Sequence, residues 1–341
     1  MKWYKKAFYG ASSLMPLNLL GALSPTTTLF PYHHLVSDED VLHIKQLYSY
    51  KSVKQFTADL DFLLRHFRPI TADDLLKSIE KDNRLPAKSF LLSFDDGLSE
   101  VYDIAAPILL RKGVPAVLFI NPAFVDNREL FYRCKISLVI DLLKKNNYTG
   151  GVIKEVSALL SLTDFSQPVI FQRIREIDQR EKYILDKIGN LLEFSFDGYL
   201  KSRKPFMTAS QINELSVKGF TIGAHSWDHP YYKFLSEEEQ VNQTVSSCNF
   251  VQENFSPSCN TFSFPHFDSS LPQSLFDELL RQQSKIDLLF GIQNQKMELN
   301  NRMIHRFNAE RPDVNLSKQV KGLMIFMMIQ QMMQKNKVVR K

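Results

Sequence analysis

The chain has little that would staple, anchor or repeat it. Only three of its 341 residues are cysteines, Cys134, Cys248 and Cys259. They form no CxxC pair, and an odd count gives no disulfide framework. They read as buried thiols, with a Cys248 to Cys259 bridge left open for an oxidising compartment. No stretch reaches the roughly 18 to 20 uninterrupted apolar residues of a spanning helix, which argues against an integral membrane protein. There is no internal repeat. Charge of one sign is also scarce: the formal net charge is +5 and the bases are dispersed, so a nucleic-acid footprint is not indicated. The two ends are exceptions, with Lys2, Lys5 and Lys6 at one and Lys335, Lys337, Arg340 and Lys341 at the other.

What is present is ample core material. Hydrophobic residues make up 44%, including 26 Phe, and charged residues 23%, which excludes disorder and fibrous repeats. The length suits one large domain or two ordinary ones. Residues 7–23 resemble a secretory apolar region, but Pro16 and Asn18 interrupt it and no small-x-small cleavage site follows.

Short apolar runs alternate with helical patterns, the signature of a parallel sheet or barrel wrapped by helices. Seven candidate strands cover residues 28–32, 89–94, 116–121, 220–225, 261–265, 287–292 and 303–308, and seven suggests a barrel. Phe56, Leu60, Leu63, Leu64 and Phe67 recur at helical spacing, Thr71 is placed to cap a second helix, and Thr208 opens a capping box. Residues from about 128 to 204 carry helical periodicity without a strand and read as a helical insertion in a barrel spanning 28–315. An N-terminal segment, 1–27, precedes the barrel. A basic, Met-rich helix within 316–341 follows it, read either as packed on the barrel or as a peripheral membrane contact.

Two segments carry chemistry. In Phe90 to Gly97, FLLSFDDG, an apolar strand ends in paired carboxylates and a glycine that permits a sharp turn. Catalytic loops sit at such C-terminal strand ends in parallel barrels. In Phe220 to Pro230, FTIGAHSWDHP, a second strand ends in His225 and His229, four residues apart, a spacing that can present two imidazoles to one cation. Asp96, His225 and His229 together make a ligand set with one position left for water, the open arrangement of a catalytic zinc site.

SFDDG followed by HSWDH resembles the polysaccharide deacetylases, carbohydrate esterase family 4, and the opening LFPYHHLVSD is similar to that family's first strand. The resemblance implies a distorted (β/α)7 barrel of the α/β class and metal-dependent removal of acetyl groups from an N-acetylated sugar or polysaccharide. It implies Asp95 as general base, Asp96, His225 and His229 as ligands of a divalent metal, Zn2+ first, and a carbohydrate rather than nucleic acid as partner. It also points to the cell envelope or periplasm, the cytoplasm remaining open.

The family's Arg-x-Pro-Tyr motif corresponds to Ser263-Phe264-Pro265-His266, where the proline stays but the arginine and tyrosine are gone. In the family that arginine positions the base and the tyrosine's amide assists the oxyanion; the amide of His266 can still do the second task. The late Leu-x-His motif is approximated by Met303-Ile304-His305, which makes His305 the expected general acid. His33 and His34 are expected mainly as structural residues, and Trp227 as a surface for stacking on a sugar ring. Three alternatives stay open: a sugar O-acetyl esterase, another amidase with the same metal site, and a carbohydrate-binding protein on a retired catalytic scaffold.

Overall fold

The computed structural model describes residues 9, 10, 12, 14–82, 84–281, 285–298 and 300–340. Its strands are β1 (Thr28–Leu29), β2 (Pro31–His33), β3 (Arg68–Pro69), β4 (Ser89–Phe90), β5 (Leu92–Phe94), β6 (Ala116–Ile120), β7 (Thr221–Ala224), β8 (Thr261–Ser263), β9 (Leu288–Gly291), β10 (Met303–His305) and β11 (Phe307–Asn308). Every pairing between them is parallel. The main sheet runs β10-β9-β8-β7-β6-β5-β2-β11. β10 and β11 are one stretch of chain, so residues 303–308 pair with β9 on one side and with β2 on the other and nearly close the sheet into a barrel. All seven expected strand regions are found in this ring or in β1 and β4, which continue its first two members.

Side-chain parity sorts the strands into an inside and an outside, because successive strand residues face opposite ways. In β6, Ala116, Leu118 and Ile120 join the outer core with the helices, whereas Val117 and Phe119 join the inner one with Leu91, Leu288, Phe290 and Ile304. The outer core is completed by helices α1 (Leu17–Leu23), α2 (Val53–His66) and α4 (Ala106–Lys112), then by those after the insertion, whereas α3 (Ala72–Asp82) places Ala72, Leu75 and Ile79 in the same cluster as Val117 and Phe119. Ser52 caps α2 with a reciprocal capping box to Gln55, and Thr71 and Asp74 exchange the equivalent bonds at the start of α3.

Between β6 and β7 the chain forms α5 (Tyr132–Lys145), α6 (Gly150–Leu159), α7 (Gln167–Glu176), α8 (Tyr183–Leu191) and α9 (Phe196–Arg203), with no strand among the described residues. They share a core of their own in which Cys134, Ile136, Val139, Val156, Ile174 and Leu185 are buried. α10 (Ala209–Val217), opened by the Thr208–Gln211 capping box, leads into β7. α11 (Glu237–Phe255) and α12 (Gln273–Leu279) follow β7 and β8. The final helix, α13 (Leu316–Met332), buries Leu316, Val320, Leu323, Met324 and Met327, whereas Met332, placed on that same face by its spacing, is exposed. Cys134, Cys248 and Cys259 are all free and buried, so no bridge joins the last two.

Gly223 marks where the barrel interior has no spare room. Its position on β7 faces inward, and a Cβ there would come within 2.6 Å of the Phe119 ring and closer still to Thr261 Oγ1. Gly223→Ala is therefore expected to destabilise the fold by about 1–3 kcal/mol through overpacking, read as a lower midpoint in urea unfolding with unchanged slope.

Candidate active site

The same parity builds the site. Inward positions at the C-terminal ends of the strands are Tyr32, Ser93, Asp95, Asn121, His225, Ser263 and Arg306, so polar groups from distant parts of the chain meet at one mouth of the barrel. Asp95 is anchored by donation of its amide to His33 O at 3.0 Å, and His225 by donation of its amide to Ile120 O at 2.8 Å. Directly after Asp95 the chain turns through two left-handed residues, Asp96 (φ 72°) and Gly97 (φ 65°). Ser226, His229 and His266 are also left-handed (φ 63°, 61° and 55°). Such conformations are costly for non-glycine residues and persist where surrounding bonds fix them. Here Asn121 donates from its side chain to the carbonyls of His225 and Ser226, and Ser226 Oγ accepts from the amide of His229 at 3.1 Å.

Asp96, His225 and His229 converge. His229 Nε2 lies 3.3 Å and His225 Nε2 3.6 Å from Asp96 Oδ1, and all three residues are buried. Among the described residues Asp96 Oδ1 has no hydrogen-bond partner in this buried position, an arrangement that is costly unless something else engages it. Ligands about 2.0–2.1 Å from a tetrahedral zinc lie about 3.3–3.4 Å from one another, so these separations fit a shared cation. The tautomer fits as well. His225 Nδ1 meets the Ser263 carbonyl at 2.7 Å and must donate to it, which leaves the Nε2 lone pair facing Asp96. Burial lowers the pKa of His225 to about 4, keeping the imidazole neutral as ligation requires. Burial alone would raise the Asp96 carboxyl, but His229, His34 and His225 outweigh it and hold Asp96 below the usual carboxylate range.

Asp95 is engaged differently. Arg306, 1% exposed, donates to its two oxygens at 2.7 and 2.8 Å, and also to Ser93 Oγ at 2.9 Å and Ser263 Oγ at 2.5 Å. The guanidinium sits among the rings of Tyr32, Phe119 and Phe290. Burial would raise the Asp95 carboxyl, yet the Arg306 charge, with His225, keeps it lowered and ionised. Asp95 Oδ2 is 4.0 Å from His225 Nε2, so the carboxylate lies beside the metal-type cluster without being part of it.

Pro265 is buried and leads into His266, whose amide donates to no protein group among the described residues. The His266 ring stacks on Tyr231 at 3.6 Å and meets His229 edge-on at 4.4 Å, which sets this loop against the cluster. Trp227 is 40% exposed and turns towards Phe250 on α11.

His305 is not brought to the cluster. Parity turns it outward while Ile304 and Arg306 face in. Its Nε2 meets Glu298 at 2.9 Å, and its Nδ1 lies 3.8 Å from Asp268. Arg340 binds both of those carboxylates. His305, the expected general acid, is thus not placed with the cluster: the strand's alternation aims it away from the mouth and aims Arg306 into it. His34 occupies the mouth instead. Its Nδ1 meets Glu310 at 2.8 Å, and Glu310 also accepts from the amides of His34 and Leu35. Burial opposes charge on His34, but Glu310, with Asp96 and Asp95, outweighs it and raises the pKa to about 9. His33 is buried between Phe56 and Phe94 on the outer side.

The chain thus has a nearly closed parallel barrel with a carboxylate and imidazole cluster at the C-terminal mouth of its strands, the architecture of a barrel hydrolase. Residues 82–285, more than half of the chain, match the polysaccharide deacetylase family, and the chain belongs to that family. Solved structures with the same fold include a Streptococcus pyogenes deacetylase, PplD, in complex with acetate (TM-score 0.56, 11% identity, covering 87% of this chain and 97% of that one). IcaB from Ammonifex degensii is similar at TM-score 0.53 and 16% identity, over 88% and 98% of the two chains. A de-N-acetylase from Aggregatibacter actinomycetemcomitans is similar at TM-score 0.53 and 15% identity, over 86% and 99%. No curated protein sequence matches.

Removing Arg306 strands the Asp95 charge in the interior. Arg306→Met is expected to cost about 3–5 kcal/mol of stability, and the double variant Asp95→Asn/Arg306→Met to recover part of it. Urea unfolding of the wild type, both single variants and the double variant closes that cycle; additive losses would mean that the two groups act independently.

Proposed function

We propose that this chain is a divalent-metal-dependent deacetylase that removes acetyl groups from an N-acetylated amino sugar within a carbohydrate. The observation that carries the reading is the buried Asp96 Oδ1, without a hydrogen-bond partner among the described residues and 3.3–3.6 Å from two imidazole nitrogens, beside a separately ionised Asp95. Asp96, His225 and His229 would hold the cation, with Zn2+ the first candidate for a mixed imidazole and carboxylate set. Bound there, it supplies Lewis acidity towards the acetyl carbonyl and makes water easier to deprotonate.

The chain's own groups divide the proton work. Asp95, held ionised by Arg306, takes the proton of the attacking water as its oxygen bonds to the acetyl carbon. The His266 amide donates to the carbonyl oxygen as negative charge develops on it. His34, with Nδ1 committed to Glu310, presents Nε2–H to the amide nitrogen, and the C–N bond breaks as that proton is delivered. Acetate and a free amine leave. Trp227 offers an exposed ring for a sugar face.

Metal-loaded protein is expected to release acetate from N-acetylated oligosaccharides, and chelation or Asp96→Ala to abolish release. Turnover that survives both treatments would overturn the metal assignment, and release from O-acetyl but not N-acetyl sugars would move the reaction to ester hydrolysis.

The pH dependence tests His34. The acid form is the active one, so activity is present below the raised pKa and lost as pH climbs through it, giving an alkaline limb at or below about 9, since a cation on Asp96 lowers it. Glu310→Gln removes the group that lifts His34, so the limb should move to lower pH. His34→Ala should lower kcat by about 10²–10⁴-fold. An unmoved limb in Glu310→Gln would remove His34 from the acid role.

A further inference from the structure

The two ends of the chain share a composition that the active site does not use. Residues 1–37 and 314–341 contain no aspartate or glutamate. The structure brings the described parts of both together. α1 packs on α13, with Leu20 in the same core as Val320, Leu323, Met324 and Met327.

Their open sides are apolar too. Leu19 and Leu23, four residues apart on α1, are exposed, as is Leu14 (85%) just before them. On α13, Phe326, Ile329 and Met333 follow helical spacing and are exposed, beside Met332 (84%). Single exposed apolar side chains need no explanation, but stripes on two adjoining helices do. The lysines near them, Lys318, Lys335 and Lys337, are exposed. No helix among the described residues is long and apolar enough to cross a membrane.

We propose that the α1 and α13 face is a peripheral docking surface for an anionic lipid bilayer, with the apolar stripes entering the interface and the lysines meeting the headgroups. Apolar stripes bordered by bases, on helices too short to span, suit a helix pair lying in the interface plane. Two helices without acidic residues and with lysines near them complement anionic headgroups, whereas a second copy would set the same lysines against each other in a two-fold contact. Docking at this face needs nothing from the deacetylase reading, so the two stand or fall separately.

The test is co-sedimentation of the full chain with vesicles of phosphatidylglycerol in phosphatidylcholine, and with phosphatidylcholine alone. The wild type is expected to pellet with the anionic vesicles and to be released by high salt. Ile329→Glu/Met332→Glu should lower the partition coefficient by at least about tenfold. Lys335→Gln/Lys337→Gln should lower it by about fivefold per lysine on anionic vesicles alone. All four positions are exposed, so circular dichroism should match the wild type. The proposal is overturned if the wild type stays in the supernatant, if the Glu pair binds undiminished, or if both lipid mixtures are bound equally. A concentration-dependent dimer lost in the Glu pair, without vesicle binding, would instead assign the face to a second copy.

Discussion

The pairing of Arg306 with Asp95 is the interaction on which the barrel's mouth depends. Arg306 lies at the break between β10 and β11, where the last strand leaves β9 and joins β2. Its guanidinium reaches Ser93 and Asp95 at the end of β5 and Ser263 at the end of β8. One side chain therefore ties the closing strand across the interior to two others. A charge this deeply buried is tolerable because each oxygen of Asp95 accepts from it and three aromatic rings surround it. The carboxylate gains as much as the arginine: without a fixed positive neighbour, burial would favour its neutral form, which cannot take a proton.

A second clamp lies outside the barrel and holds the loop that follows Pro265. Asp268, two residues after His266, binds Arg340, which also binds Glu298 and stacks on Phe276 at 3.7 Å. Residues 336–338 run alongside Met297 and deliver Arg340 to that position. The left-handed His266, whose amide faces the reacting carbonyl in the proposed chemistry, is thus braced from both directions: Tyr231 stacks on its ring and Asp268 is pinned just beyond it. His305 belongs to this clamp, through Glu298, and not to the mouth.

Most of the barrel was legible because its strands are short apolar runs, and apolar run length survives translation into structure. The Asp-Asp-Gly and His-x-x-x-His segments were legible because each ligand group follows directly on a strand. What sequence pattern did not show was which residue of a strand faces inward. In 303–308 the motif drew attention to His305, yet strand parity sends His305 out and Arg306 in, and parity is fixed only once Met303 and Ile304 have settled into opposite cores. His34 was missed for another reason. Its acidity is set by Glu310, 276 positions away along the chain, and no local pattern announces a partner at that distance. Asn121 carried a weak signal, a polar residue ending an otherwise apolar run.

Parity also changes the meaning of the departure at Ser263. Read along the chain, loss of the arginine that the family places there suggests a site drifting away from catalysis. In the folded barrel the guanidinium has another source, two strands along, and enters the same space from residue 306. Ser263 then suits what surrounds it: its hydroxyl accepts from Arg306 and its carbonyl accepts from His225 Nδ1. A second arginine at 263 would set like charges together in a dry interior, where their repulsion is least screened. Ser263 and Arg306 are therefore complementary within this barrel. The missing motif residue, which gave the retired-scaffold reading its ground, leaves Asp95 still charged, paired with Arg306 and beside the cluster.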